Sequence, residues 1–412
     1  MERINLGLVG CGGMGTRHLY GLRSLAQTPF NRIDLRALCD INPENAGMAA
    51  AEAGRLLGVE PAVFTDLEAM AAAMPELDAV DVVTDPAVHH EVACRALDLG
   101  LHVMVEKPMA ITVRACLKMI QAADRNGRVL SVAENYRRDP SARLAHHMVT
   151  SGAIGTPYMG LFHAVSEGDR IFITPWRHLK NRGGPLVDMG VHYADLIRYQ
   201  LGDIQEVYGD ARLVEPVRRK SDSMWRPYEF YRKQYENMAP EVPADAEDSS
   251  LAMFRMVSGA AVSWVVGLGG YGGCSTQLIL GTEGCIEGYG TRGGRVRMRR
   301  GRGDFQEQEA MLAQAEGFEQ EALAAHFFPT GLTSADPEVD WKLLAMEYYE
   351  FGDAIAEGGE VEVDGTEGMK DVAAVYAVFE SAVSGRAVQM TEVESGETDA
   401  YQAEIDTALG IV

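Results

Sequence analysis

Leu6-Gly7-Leu8-Val9-Gly10-Cys11-Gly12-Gly13-Met14-Gly15 is the stretch whose reading decides the fold. Gly10, Gly12 and Gly15 form a G-x-G-x-x-G spacing. The apolar run Ile4 to Val9 reads as a buried parallel strand, and Thr16 to Ala26 carries Leu19, Leu22 and Leu25 at helical spacing. A strand, a glycine turn and a helix in that order bring backbone N–H groups to a pyrophosphate at the positive end of the helix. With 44 glycines in 412 residues the spacing alone is weak, so its context decides. A second apolar strand, Ile33 to Cys39, ends at Asp40. An acid at that tip is placed to hydrogen-bond both ribose hydroxyls of an adenosine. Ile41 follows, where an arginine would receive a 2′-phosphate, so the pair favours NAD over NADP.

Outward from this turn, strands and helices alternate. Asn42-Pro43-Glu44 supplies a cap, a first-turn proline and a first-turn acid for a helix through Leu57. A short helix Asp66 to Met74 precedes the strand Ala79 to Thr84, and Val88 to Leu99 is helical with Gly100 as its stop. His102 to Val105 is a strand, Thr112 to Asn126 a helix closed by Gly127, and Val129 to Ala133 a further strand. Repeated βα units predict a doubly wound parallel sheet, a Rossmann-type α/β domain over residues 1–134.

Past that point the pattern changes. Helices are expected at Pro140 to Thr150 and Val187 to Gln200, with a strand at Tyr158 to Ser166 between them. Strand-like runs then follow one another: Ile204 to Val214, Leu251 to Val257, Ala260 to Gly267, Ser275 to Leu280, Cys285 to Tyr289 and Val296 to Arg300. They predict a C-terminal α+β domain, residues 135–412, with an open, mostly antiparallel sheet and helices on one face. Trp341 to Ala356 and Gly368 to Ser384 are late helices. Two insertions, near 215–247 and 301–337, stand outside this scheme. The first is rich in proline and holds Trp225, Tyr228, Phe230, Tyr231 and Tyr235, the composition of a lid, a subunit arm or a self-packed surface excursion.

Composition limits the partners. There are 60 acidic and 37 basic residues, a net charge of −23, which repels nucleic acid and anionic membrane surfaces. Apolar residues make up 47%, enough for sizeable cores, and no run is long enough to span a bilayer. Met1-Glu2-Arg3 leads straight into the first strand with no signal-peptide pattern, and the six cysteines have neither CxxC nor metal spacing. The expectation is reduced thiols in a cytoplasmic protein, with no metal site.

Two constellations carry chemistry. Val105-Glu106-Lys107-Pro108 closes a parallel strand, at the sheet edge where ligands bind, so Lys107 would stand near the nicotinamide end of a dinucleotide held at Gly10 to Gly15. Asp188 and His192 are four apart and share a helix face, a carboxylate beside an imidazole that titrates near neutrality. That spacing also suits half a metal site or a structural pair, though no further ligands stand nearby.

With these pieces in view the chain resembles the glucose–fructose oxidoreductase, inositol dehydrogenase and rhizopine catabolism (Gfo/Idh/MocA) family. The likeness rests on Gly10 to Gly15, Thr84-Asp85-Pro86 with His89-His90, Gly100 to Val103 leading into Glu106-Lys107-Pro108, Gly152-Ala153-Ile154-Gly155, Trp176-Arg177, Gly183-Gly184 through Asp188 and His192, and the closing Ser381 to Arg386. The resemblance implies NAD(P), a sugar or polyol substrate, a second-domain sheet that often forms a subunit interface, and hence a homodimer or homotetramer. It implies Lys107, Asp188 and His192 as the catalytic group, and a cis Lys107-Pro108 bond. Cofactor contacts would come from Gly10, Gly12, Gly13, Met14, Gly15, Asp40, Thr84, Pro86, His89, His90, Glu106 and Lys107. Asn135, Tyr136 and Arg137 would border the sugar, with His163, Trp176, Arg177, Lys180, Asp188 and His192 reading its hydroxyls and Trp176 or Trp225 stacking on it. The sequence departs from the family pattern at Pro185, which replaces a third glycine, and at Asp85.

The expected activity is oxidation of a secondary hydroxyl of a sugar, glycoside or cyclitol. His192 is the base, Lys107 its electrostatic partner and Asp188 the orienting acid. The alternative is a glycosidase that keeps its NAD and works through transient sugar oxidation and elimination. A non-catalytic sensor on this fold would be expected to lose the three residues, which are all present.

Overall fold

The computed structural model describes residues 3–166, 168–224 and 228–411. It divides into two compact units: residues 1–134, 222–239 and 340–369 form the first, and 135–221, 240–339 and 370–412 the second.

In the first unit, six parallel strands stand in the order β3-β2-β1-β4-β5-β6: β1 Ile4–Val9, β2 Ile33–Cys39, β3 Ala62–Phe64, β4 Ala79–Val82, β5 His102–Glu106 and β6 Leu130–Ala133. The central strands are buried end to end, as a parallel sheet between helices requires. The helices are α1 Gly13–Ala26, α2 Pro43–Leu57, α3 Leu67–Ala73, α4 His89–Asp98 and α5 Val113–Asn126. Their starts are written locally: Asn42 caps α2 through Glu44 N–H, Asp66 caps α3 through Ala69 N–H, and Thr112 caps α5 through Ala115 N–H. Gly58 and Gly127 close α2 and α5 with positive φ. Two details differ from the sequence reading. Helix α1 begins at Gly13, inside the glycine motif, because Gly12 is its N-cap. The three-residue β3 is too short to show periodicity and was not foreseen.

The second unit is built on an eight-stranded sheet. Its parts are α6 Pro140–Thr150, β7 Pro157–Val165, α7 Gly184–Leu201, β8 Ile204–Arg212, β9 Val217–Arg219, then, belonging to the first unit, α8 Glu229–Glu236, followed by β10 Glu241–Pro243, β11 Ser249–Met256, β12 Ala261–Gly267, β13 Cys274–Gly281, β14 Gly284–Glu287 and β15 Arg297–Arg300. After these come α9 Gln308–Gln314, α10 Ala322–Phe327, α11 Val339–Glu357, α12 Gly365–Ser384, β16 Val388–Gln389, α13 Met390–Glu394 and α14 Ala403–Ala408. The large sheet runs β15-β14-β13-β7-β12-β11-β8-β16, antiparallel except for the β12–β7 pair, and β9 and β10 form a separate ribbon. Helix α7 packs on β7, β11 and β12. Phe162, Trp264 and Phe254 project to that side and make the core, with Tyr193 of α7 against Phe162 at 4.7 Å between ring centres. Alternate residues face the opposite side, where Leu251, Met253, Tyr208 and Met159 are exposed.

The long insertion is thus shared between the units. Its segment 222–239 clusters with the first unit, as does 340–369, which holds most of α11.

Candidate active site

In the first unit the glycine turn is as tight as the sequence demanded. Gly10 has φ +99°, and a Cβ there would sit 2.5 Å from the Val83 carbonyl oxygen. A Cβ at Gly15 would collide with the Gly10 carbonyl, so both positions admit only glycine. Asp40 closes the turn from the β2 side: one carboxylate oxygen accepts from Cys11 N–H at 2.7 Å and the other from Asn42 N–H at 2.8 Å. Those bonds use two of about four lone-pair sites and leave room for ribose hydroxyls. Ile41 beside it is 92% exposed. At the end of β4 the Thr84 hydroxyl is buried with no hydrogen-bond partner. A dinucleotide would supply what these groups lack: phosphate oxygens for the turn, hydroxyls for Asp40 and a partner for Thr84. The residues fit NAD.

The same unit holds the Glu106-Lys107-Pro108 corner. The Lys107–Pro108 peptide is cis. His89 is buried, with Nδ1 3.0 Å from the Pro108 carbonyl and Nε2 3.1 Å from the Thr84 carbonyl. Burial lowers its pKa, against the pull of those carbonyls and of Glu106. His89 thus ties the β4 loop to the Lys107 corner. His90 is buried too. Pro86 opens the short turn before α4, with Asp85 capping it through Ala87 N–H, so the unexpected Asp85 has a local structural role.

The second unit supplies the other constellation. Gly183 and Gly184 both have positive φ, and a Cβ at Gly184 would meet Ala246 Cβ at 2.6 Å. Pro185 then sits in the first turn of α7, where its missing N–H leaves no bond unmade. Asp188 and His192 follow on α7, each 7% exposed. The Tyr136 ring stacks on His192 at 4.1 Å and 5°. Arg177 Nε lies 3.2 Å from Asp188 Oδ2, Nη1 donates to Thr174 Oγ1 at 2.7 Å, and its guanidinium lies 4.4 Å from the Trp176 ring centre. Ile173, just before this group, has φ +59°, a region that β-branched residues rarely occupy.

Within the second unit, then, α7 carries two small groups four residues apart, Tyr136 with His192, and Trp176 and Arg177 with Asp188. Asn135 adjoins Tyr136 in sequence and carries a buried Oδ1 with no hydrogen-bond partner. Three further residues expected at the sugar have partners of their own in this unit. Arg137 is buried and forked onto Asp195, Nε to Oδ1 2.8 Å, as a structural ion pair. His163 alternates with Phe162 on β7, so it points to the face away from α7 and meets Ser263 of β12 at 3.0 Å. Lys180 turns to Glu404 at 2.9 Å and to the Tyr401 ring. Trp225 lies outside the described residues.

Sequence reasoning missed two features of the first unit. One is a buried cluster of His18, Asp81 and Tyr348 beside Glu106. The other is α8, whose Phe230 Cζ stands 3.4 Å from where a Gly12 Cβ would lie, and whose Tyr231 ring occupies the space of a Gly13 Cβ. Among the described residues no group of three or more His, Cys, Asp or Glu is arranged to hold a metal ion, and no helix is long and apolar enough to cross a membrane.

A glycine turn on a Rossmann sheet, an acid at the tip of β2 and a helix-borne acid–imidazole pair are features of an oxidoreductase that uses a nicotinamide dinucleotide. A family model described as "Oxidoreductase family, NAD-binding Rossmann fold" matches residues 4–134, and the Gfo/Idh/MocA C-terminal domain matches residues 142–287. The chain belongs to the Gfo/Idh/MocA family of oxidoreductases, and its first unit is an NAD-binding Rossmann domain. It is 28% identical to levoglucosan dehydrogenase of Pseudarthrobacter phenanthrenivorans, over 96% of this chain and 100% of that protein. It is 32% identical to inositol 2-dehydrogenase 2 of Saccharopolyspora erythraea, over 48% of this chain and 54% of that one. A solved structure of levoglucosan dehydrogenase with NADH and L-sorbose superposes with a TM-score of 0.75 at 26% identity, covering 95% of this chain and 99% of that one.

Proposed function

We propose that this oxidoreductase removes a hydride from a secondary C–H(OH) of a sugar, glycoside or cyclitol, with Lys107, Asp188 and His192 acting on one substrate. The observation that carries the reading is the pair on α7: a buried carboxylate and imidazole, four residues apart, each with a narrow exposed edge and each held by its own partner. Bound NAD+ supplies the hydride acceptor. His192 takes the hydroxyl proton, its ring plane set by the Tyr136 stack. Asp188, fixed by Arg177, receives a neighbouring hydroxyl and orients the sugar. Lys107 donates to the reacting oxygen and stabilises the alkoxide character that develops as the hydride leaves. A polyhydroxylated substrate suits the polar, aromatic-flanked group around Trp176, and the dehydrogenase relatives named above act on such compounds by their names.

The Asp40–Ile41 pair supports NAD over NADP, because a 2′-phosphate would meet a carboxylate with no nearby arginine at position 41. The six cysteines are all free, which suits a reducing compartment such as the cytoplasm. Copies of the chain are expected to associate through the exposed sheet face.

The test follows NADH absorbance with purified protein, NAD+ and a panel of inositols, aldoses, anhydrosugars and glucosides. On the best substrate, Lys107→Ala and His192→Ala should each lower kcat/KM about a hundredfold or more, the scale of losing a proton-transfer or oxyanion partner. Wild-type turnover in both variants would end this reading. Release of an aglycone without NADH would favour the glycosidase route.

A further inference from the structure

Helix α1 carries His18 on its buried face, where apolar side chains would be expected. His18 is fully enclosed, as are Asp81 of β4 and Tyr348 of α11. His18 Nδ1 lies 2.8 Å from Asp81 Oδ2 and 3.1 Å from the Tyr348 hydroxyl, which itself donates to Asp81. The other ring nitrogen, Nε2, has no hydrogen-bond partner and faces Glu106 Oε1 at 3.6 Å. Burial alone would lower the His18 pKa, but the charges of Asp81 and Glu106 outweigh it and push it up to about 10. The two flanking carboxylates thus favour the charged form of the ring. Arg17, paired with Asp340, also bears on Glu106, and Glu347 on Tyr348.

Burying such a cluster is a poor way to gain stability. Ion pairs lose as much hydration as they recover in attraction, and a trio of well-packed apolar residues would hold the same three elements more cheaply. What an ionic cluster supplies and an apolar one does not is direction. Nε2 faces, at 3.6 Å, the carboxylate of the residue that precedes Lys107, close enough for charge to hold that carboxylate to one side.

We infer that His18, oriented by Asp81 and Tyr348, is a positioning residue that fixes the Glu106 carboxylate and so sets the direction in which Lys107 leaves β5. This rests on the reading of Lys107 as a catalytic residue. The device links three ligand-bearing places of the unit: α1, which starts in the glycine turn, β4, which leads to Thr84, and β5, which ends at the lysine.

The experiment compares His18→Gln, Tyr348→Phe, Glu106→Gln, Lys107→Ala and the His18→Gln/Glu106→Gln double variant. Three readouts are taken: kcat on the best substrate of the panel, NAD+ affinity by fluorescence titration, and amide hydrogen exchange of the peptide spanning 103–110. His18→Gln should lower kcat about ten- to a hundredfold, the scale of a small misplacement of a catalytic group. NAD+ affinity should stay within about threefold, and exchange should speed up at the 106–109 corner while distant peptides stay protected. Tyr348→Phe should do the same more weakly. The double variant should be no worse than Glu106→Gln, because both lesions act on one carboxylate. Unchanged kcat and exchange in His18→Gln, or full additivity with Glu106→Gln, would overturn the inference. Should His18→Gln fail to fold, Tyr348→Phe decides it by the same two readouts. Loss of activity in Lys107→Ala with a normal His18→Gln removes this inference alone. A fully active Lys107→Ala removes the catalytic reading and this inference with it.

Discussion

His178 shows how one side chain sets a pH limit on the second unit. Its Nε2 accepts the Phe172 N–H at 2.8 Å, so the folded ring is neutral. Burial, helped by the charges of Arg218 and Arg177, lowers its pKa to about 3 from 6.5. The unfolded chain takes up that proton near pH 6.5, the folded chain only near pH 3. Between those values the unfolded state binds more protons, so stability falls as the pH is lowered. His18 works at the other end: its raised pKa gives stability below pH 6.5 that is lost as the pH climbs through about 10. In urea titrations from pH 7 to 4, wild type should lose roughly 1 kcal/mol per pH unit relative to His178→Gln. Parallel stability curves for the two proteins would refute the assignment. At this scale legibility followed chemistry. Lys107, Asp188 and His192 stand in motifs whose spacing marks them as candidates. Arg137 does not, because its partner Asp195 lies 58 positions on and nothing local announces the pairing. His18 was hidden for the opposite reason: a lone histidine among leucines reads as an ordinary core residue.

Among the elements, α8 is the one whose place could not be read. Its aromatic composition suggested a lid or an arm, but its target lies about two hundred residues away, on the glycine turn of its own unit. The glycines predict a turn open to pyrophosphate, and the structure sets Phe230 and Tyr231 against the backbone of Gly12 and Gly13. Tyr231 is buried, Tyr228 meets Trp341 through a 3.1 Å hydrogen bond, and Lys233 reaches Glu44 of α2 at 3.2 Å, so the helix is seated at several points. A dinucleotide approaching the turn is expected to meet these rings. A ring contact of about 1.5 kcal/mol slows that approach about tenfold. Phe230→Ala and Tyr231→Ala should therefore bind NAD+ several-fold faster in stopped-flow fluorescence, and the double variant at least as fast as either. Association as slow as wild type would show that the helix does not stand in the cofactor's way. The strand elements were far easier to foresee. Those at the centre of the first unit are mostly apolar and those of the second alternate, and each pattern follows from covering both faces or one. The same alternation explains the direction of His163: a strand's parity is visible in the sequence, but which parity faces α7 is set only by Phe162 and Trp264 packing there.

For the molecule as a whole, the uncovered side of the eight-stranded sheet is the feature that most constrains behaviour in solution. Leu251 is 59% exposed, Tyr208 54%, Met253 46% and Met159 40%, and Tyr208 stands directly across from Met253 in the β8–β11 register. A single-chain protein rarely leaves such a patch in water. Covering the exposed half of such side chains contributes about 1 kcal/mol each, so on two partners they would offset part of the entropy lost on association. A second copy of this chain is the occupant proposed, since the same patch on both partners is what a twofold contact requires. The net charge of −23 per chain opposes that contact at long range, so salt should strengthen it until the charges are screened. Sedimentation at 0.15 M salt should therefore find wild type as a dimer or a multiple of one, weakening as salt is lowered. Leu251→Glu with Met253→Glu should give monomers that still bind NAD+, because both changes lie in the second unit and the glycine turn in the first. A monomeric wild type, or a double variant that sediments like wild type, would show that this face is not where the copies meet.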